Sequence, residues 1–301
     1  MPCHKIDAVL IFGNVQFTTQ AIAELFEQGI EFAIFSKTGK LKGQITSVTP
    51  KNILLRVQQF KKYWDDDFKL EFSKIILTGK ITNAVNLIKR FSLNHKDIDF
   101  EYEKTSLSTS LKKINSLESI KNLFGVEGNA AKIYFSALSK MMLSEFEFNG
   151  RNKRPPKDPV NALLSLTYTM IYNDISSMLD GLGFDPYLGY FHHVDYGRAS
   201  LAADILEEFR APSGDRLVLK LLNNRILKKE DFYTNTMNNG CYLKTDALKL
   251  YFKEYENMVN TEFIDTEKNK TSLRKCFRSQ AEKLALTIKD NTVYKPFVFK
   301  T

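Results

Sequence analysis

Residues 49–64, TPKNILLRVQQFKKYW, decide how the chain is divided. Ile53, Leu54, Val57, Phe60 and Trp64 recur at three- and four-residue spacing, the period of one helical face, so a helix starts here and this stripe is expected to face the core, Trp64 included. Upstream the pattern differs. Residues 6–13 (IDAVLIFG) and 31–36 (EFAIFS) are strand-sized apolar runs bounded by Gly, Asn or Ser. Between them TTQAIAELFEQG opens on a Thr cap at Thr18 and closes on Gly29, as a short helix does. A third strand is expected at 41–48 (LKGQITSV), after the turn residues Thr38 and Gly39. Downstream the helical period persists through 71–91, 106–124 and 127–148, with further helices expected at 157–180, 198–210 and 244–260. The expected class is α+β: a small β-rich N-terminal domain with one helix, residues 1–49, and a large all-α catalytic domain, residues 50–301.

A chain of 301 residues is long enough for two domains and a sizeable core. An apolar fraction of 43% with 14 Gly and 8 Pro excludes disordered and collagen-like chains. Forty-three Lys and Arg against 35 Asp and Glu leave a net charge of +8, which suits a polyanionic partner. Cys3, Cys241 and Cys276 lie too far apart in sequence for a CxxC knuckle, and there are too few of them for a stapled secreted framework. No apolar run approaches the ~18 residues of a membrane span, and the first residues lack the pattern of a signal peptide. A cytoplasmic protein is expected.

Three segments can carry chemistry. In 127–135, EGNAAKIYF, Glu127 is read at a helix start, where a carboxylate also simply favours the positive end of the helix dipole. In 151–168, RNKRPPKDPVNALLSLTY, Asp158-Pro159 reads as cap and first-turn proline, and Arg151, Lys153, Arg154 and Lys157 form either a solvated loop or a phosphate grip. In 189–210, GYFHHVDYGRASLAADILEEFR, two of the four histidines are adjacent and a helix follows from about Ala199-Ser200. Asp204 and Glu207 share one face of that helix beside the stripe Leu201, Ile205 and Phe209, while Glu208 points elsewhere. Histidine nitrogen and carboxylate oxygen together suit Mg²⁺ or Mn²⁺, although a structural His and a solvated carboxylate pair fit the same spacing. Arg216 to Lys229 adds five basic residues and no acidic one, either a DNA track or the exposed face of an amphipathic helix.

In this order and spacing the three segments resemble the CRISPR-associated integrase of the Cas-one family. The pattern is E-G with an aromatic pair seven and eight residues on, R-x-P-x-D-P-x-N-x-x-L-S, then G-x-x-H and G-R-x-S-L-A-x-D-x-x-E-x-F-R. Glu127, Arg154, Pro156, Asp158, Pro159, Asn161, Leu164, Ser165, Gly189, His192, Gly197, Arg198, Ser200, Leu201, Asp204, Glu207 and Arg210 fall on it. Residues 222–232 and 238–256 look like the family's closing helices. PCHKIDAVLIFGN resembles the strand leading into its amino-terminal helix, so the β-domain is expected to be shortened relative to the family, which carries further strands before this point.

The resemblance implies a divalent-metal-dependent DNA integrase and endonuclease, which joins prespacer 3′-hydroxyls to the CRISPR repeat by transesterification. Glu127, His192 and Glu207 would hold Mg²⁺ or Mn²⁺, with Asp204 as a further acidic residue at the edge and His193 a neighbour to DNA. Lys132, Arg154, Arg198 and Arg210 would grip double-stranded DNA. The implied assembly is a homodimer bridged by the small partner Cas-two. The alternatives are a structure-selective nuclease on branched DNA using the same ligands, and a DNA-binding or scaffolding subunit without catalysis.

Overall fold

In a computed structural model the described residues are 6, 8–28, 30–36, 41–45, 52–152, 154–265 and 268–299. The chain divides into two compact units, Met1–Lys51 and Asn52–Thr301. Cys3, His4, Lys153 and the end of the third expected strand, residues 46–48, lie outside the described residues.

In the first unit β1 (Ala8–Phe12), α1 (Thr19–Glu27), β2 (Glu31–Phe35) and β3 (Leu41–Ile45) form a three-stranded sheet of order β1-β2-β3. β1 and β2 are parallel, with Leu10 opposite Ala33, and β3 returns antiparallel to β2. The parallel pair is possible because α1 provides the crossover. Thr18 caps that helix, its Oγ1 accepting from Ala21 N at 3.2 Å. Phe12 stacks on Phe35 at 4.8 Å, and Phe32 and Phe35 are buried.

The second unit is helical: α2 (Ile53–Tyr63), α3 (Asp66–Asn94), α4 (Glu101–Ile114), α5 (Ile120–Lys140), α6 (Pro159–Leu182), α7 (Ser200–Phe209), α8 (Arg216–Asn223), α9 (Thr245–Asn260) and α10 (Leu273–Asp290). The class is α+β as expected. The second unit also carries two small antiparallel hairpins, β4 (Phe232–Asn235) with β5 (Gly240–Leu243) and β6 (Glu262–Ile264) with β7 (Lys270–Ser272). The first hairpin takes part of two stretches read as closing helices.

α6 runs through the core. Asp158 caps it by accepting from Asn161 N at 2.8 Å, Pro159 opens it, and it ends on Gly183 at φ 99°, a left-handed turn that glycine adopts without strain. α7 is buried on every side, packed between α3 and α6, so its apolar stripe is one part of a wholly enclosed helix. Full burial of each Leu, Ile or Phe there contributes roughly 1.5–3 kcal/mol, which fixes the helix that bears Asp204 and Glu207.

Two further expectations fail. α2 forms as read, but its inward residues are Leu55 and Gln59, while Leu54 and Trp64 are 74% and 79% exposed and Ile53, Val57 and Phe60 are exposed too. The helix is oriented by Gln59, whose Nε2 donates to the carbonyls of Asp185 and Leu188 and whose Oε1 accepts from Asp185 N. Three hydrogen bonds to a buried loop set the rotation that hydrophobic spacing assigned otherwise. The continuous helix read over 106–124 is interrupted: α4 ends at Ile114, and Ser119 starts α5 by accepting from Asn122 N. Glu127 therefore lies two turns inside a helix, and the dipole explanation for it disappears.

Candidate active site

α3, α5, α6, α7 and the loop before α7 line a cavity of about 340 Å³ that contains Lys80, Glu127, His192, Arg198, Glu207 and Arg210, with Tyr134, Tyr168 and Asp215 also lining it. The loop reaches the helix because residue 189 is glycine: a Cβ there would stand 2.6 Å from the carbonyl carbon of Ser200 and 2.9 Å from Asp204 Oδ2. With the loop seated, Asp204 accepts from four donors. Oδ2 takes the backbone N–H groups of Tyr190 and Phe191 at 2.7 and 3.1 Å, and Oδ1 takes His192 N at 2.9 Å and His192 Nδ1 at 2.8 Å.

Both Asp204 oxygens already accept from backbone N–H groups, so His192 Nδ1 is the donor in this pair, and in the neutral ring that leaves the lone pair on Nε2. Nε2 lies 3.7 Å from Glu207 Oε1. The family resemblance implies Asp204 at the edge of an ion. In the structure its oxygens accept from the loop backbone and from His192 Nδ1.

Glu207 is buried, and burial alone would raise its pKa; Arg210, Lys80 and His192 outweigh it and hold the carboxyl well below the usual range. Arg210 Nη2 sits 2.9 Å from Glu207 Oε1, and the guanidinium lies over the Tyr168 ring at 4.5 Å. Glu127, from α5, meets Glu207 through a third side chain that sequence spacing did not single out. The Lys80 ammonium, from α3, contacts Glu127 Oε1 and lies 2.9 Å from Glu207 Oε2.

Among the described residues no three His, Cys, Asp or Glu side chains converge closely enough to hold a metal ion as they stand. The residues nevertheless fit one. A cation already sits between two of the carboxylates, and Glu207 Oε2 is a buried oxygen with no hydrogen-bond partner. One imidazole nitrogen and two carboxylates are donors that Mg²⁺ or Mn²⁺ accept.

The cavity floor is different. Asp215 closes the short π-helical turn Arg210–Asp215 and accepts from Tyr134 Oη at 2.5 Å and from Tyr168 Oη. Burial pushes it up to about 6, against the pull of both hydroxyls and of Arg210 and Arg151. Arg151 is engaged by Asn161 Oδ1 at 2.7 Å and Ser165 Oγ at 2.9 Å, so it braces the start of α6.

Of the residues expected to grip DNA, Arg198 and Arg210 line the cavity, whereas Lys132 and Arg154 are exposed outside it, as is Lys157. His193 stacks on Phe124 at 5.6 Å, which in turn stacks on Phe191 at 4.8 Å, so of the adjacent pair His192 faces Glu207. The five basic side chains between Arg216 and Lys229 have exposed positions, in keeping with an amphipathic α8.

The reverse face of α7 was not legible in the sequence. Glu208 accepts from Tyr294 Oη at 2.7 Å, Gln280 Nε2 at 2.8 Å and Phe297 N at 2.7 Å. Asn83 donates to the carbonyls of Glu208 and Phe297, both at 2.8 Å, and accepts from Phe299 N. The segment after α10 is thereby strapped to the back of the helix that carries Glu207.

This arrangement belongs to a known fold class. A structure described as a casposase bound to integration product matches 97% of this chain and 81% of its own with a TM-score of 0.86 at 22% identity, and a Cas1 protein from Thermotoga maritima matches 100% and 90% with a TM-score of 0.81 at 24%. At these identities the likeness is one of fold. The chain belongs to the Cas1 family: residues 1–257 match the family described as CRISPR associated protein Cas1. It is 34% identical over 259 residues to a CRISPR-associated endonuclease Cas1 of Thermus thermophilus, covering 86% of this chain and 75% of the relative. It is 31% identical over 312 residues to one from Chlorobaculum tepidum, covering 100% and 90%. Among the described residues no helix is long and apolar enough to cross a membrane.

Proposed function

We propose that this Cas1 protein is a metal-dependent DNA integrase of CRISPR adaptation, joining prespacer 3′-hydroxyl ends to the repeat by transesterification. The observation that carries this reading is Glu207 in one cavity with Glu127, across a shared Lys80 ammonium, and with His192 Nε2 3.7 Å from its other oxygen, arginines lining the same cavity. Those three side chains would hold Mg²⁺ or Mn²⁺. Bound there, the ion supplies Lewis-acid polarisation of a phosphoryl oxygen and stabilises charge on the leaving oxygen.

The rest is done by the chain. Asp204 fixes the tautomer that points a lone pair at the site. Arg210 keeps Glu207 ionised and oriented. Arg198 at the cavity, with Lys132 and Arg154 outside it, positions the phosphates of double-stranded DNA, a role that needs charge without base reading. With water in place of the 3′-hydroxyl the same groups serve strand cutting, in keeping with the relatives' name of endonuclease. A homodimer and a Cas2 partner are part of the proposal. Its support is the fold match to a Cas6-RT-Cas1–Cas2 complex, with a TM-score of 0.81 at 24% identity, of which this chain covers 32%.

The test mixes the protein, with and without its Cas2 partner, with a labelled duplex bearing 3′-hydroxyls and a plasmid containing the repeat, in Mg²⁺ or Mn²⁺. Label should enter the plasmid for the wild type. His192→Ala should lower joining by about 10³-fold or more while leaving DNA affinity within about threefold, since phosphate contacts supply most of the affinity. Full joining by His192→Ala overturns the ligand set, and cut DNA without joined product makes the enzyme a nuclease.

A further inference from the structure

Lys80 lies in the middle of α3, far in sequence from the three segments read above, yet its ammonium stands between Glu127 and Glu207. The contact is electrostatically favourable and geometrically incomplete. Glu207 Oε2 is 2.9 Å from Nζ but makes no aligned hydrogen bond to it, and the oxygen is left as a buried acceptor without a partner. Arg210 Nη2 stands 2.9 Å from the other oxygen of the same carboxylate, so each oxygen of Glu207 faces its own cation. A spherical ion has no donor direction to satisfy and would meet Oε2 without that mismatch. The lysine is also able to leave. Its charge sits on a flexible four-carbon stem, and a change of rotamer withdraws it with no movement of α3.

We propose that Lys80 is a built-in counter-cation, holding Glu127 and Glu207 together in the metal-free protein and exchanged for the divalent ion when that ion binds. The inference rests on the reading that Glu127, His192 and Glu207 are the metal ligands. Two carboxylates brought together in a partly buried cavity repel one another unless a positive charge lies between them. Lys80 supplies one unit of that charge and preserves the spacing of the ligands. Because the ammonium must be evicted first, the ion sees only the fraction of molecules in which Lys80 has swung away, and its apparent affinity is lowered by that fraction. The exchange accounts for a lysine standing between Glu127 and Glu207, where an ion shared by the two carboxylates would lie. Arg210 stays in place in both states, since it touches the oxygen that Lys80 does not.

The experiment is a Mn²⁺ titration of the whole protein, followed by the electron paramagnetic resonance of free Mn²⁺, for the wild type, Lys80→Met and Lys74→Met. Lys74 lies on the same helix and pairs with Glu71 away from the cavity, so its replacement should move Mn²⁺ affinity by less than about twofold. Lys80→Met should bind Mn²⁺ at least about tenfold more tightly than the wild type. Equal or weaker binding by Lys80→Met, with the wild type binding, overturns the exchange and leaves the metal-site reading standing. Absence of Mn²⁺ binding in the wild type and in Lys80→Met alike overturns the metal-site reading itself. A second measurement separates eviction from simple loss of a nearby charge. In protein labelled with ¹³C at the lysine ε-carbons, the Lys80 resonance, assigned by its absence in Lys80→Met or, if that variant fails to fold, in Lys80→Arg, should shift on saturation with Mg²⁺ while that of Lys74 stays. A Lys80 resonance that does not move at saturating Mg²⁺ overturns the proposal.

Discussion

Glu207 and Asp215 are both fully enclosed, line the same cavity and flank the same Arg210, yet they are pushed in opposite directions. Around Glu207 the neighbours are cations, Arg210 and Lys80, and against the pull of burial they hold it ionised. Around Asp215 the close neighbours are two tyrosine hydroxyls, Arg210 and Arg151 act only from further off, and burial prevails to lift it to about 6. Adjacent Glu208, with hydroxyl, amide and backbone donors and no ion pair, is likewise lifted by burial, to about 7. Burial does not decide which of these acids is held ionised. The charge of the neighbours does.

The sharpest way to break this contrast is to remove one charge from each side of α7. Glu207→Gln should reduce strand joining by about 10³-fold or more, whereas Glu208→Gln should keep it within about tenfold, measured as product per unit time at saturating DNA. Comparable losses in both would mean that the back of the helix matters to the chemistry as much as the front.

A smaller effect is expected in the pH dependence of stability. Asp215 has a folded pKa raised from its ordinary 3.8 to about 6, so the folded state binds the proton more tightly than the unfolded state. Its contribution is therefore fully present below about pH 4 and is lost as pH rises towards 6, a decline on the order of 3 kcal/mol. Asp215→Asn carries no titrating proton. The difference in unfolding free energy between the two proteins should change across that window and level off above it, as read by chemical denaturation at several pH values. Parallel curves would place Asp215 with the ionised acids and erase the contrast with Glu207.

The smallest expected effect concerns α2. Trp64→Ser should alter the stability of the isolated chain by less than about 0.5 kcal/mol, because the indole is exposed. A loss of the about 3–5 kcal/mol typical of emptying a core tryptophan site would restore the apolar-stripe reading.

Much of the site could be read from residue order. The loop and helix of 189–210 carry their own instructions: a glycine where backbone meets backbone, a histidine, then an acid placed to hold it and another one turn on. The start of α6 was equally local, since Asp158 and Pro159 act on their own helix. Lys80 was hidden because a single lysine on a long helix has no sequence neighbour to mark it. Glu127 was seen but misplaced on its helix, because Ser119 starts a new helix inside a stretch whose apolar period runs on.

By itself, then, the sequence determined the α+β class, the helical period from Ile53 onward, and the two short segments that hold Glu127, His192, Asp204 and Glu207, because caps, glycines and apolar spacing act over a few residues. Tertiary structure alone decided which face of α2 turns inward, where Gln59 outweighs a hydrophobic stripe through hydrogen bonds to a loop more than a hundred residues away. It decided too that Lys80 would stand between two carboxylates, and that the segment after α10 would close over Glu208. Those outcomes depend on distances between helices, and charge and hydrogen-bond partners separated along the chain choose one another only once the core has set those distances.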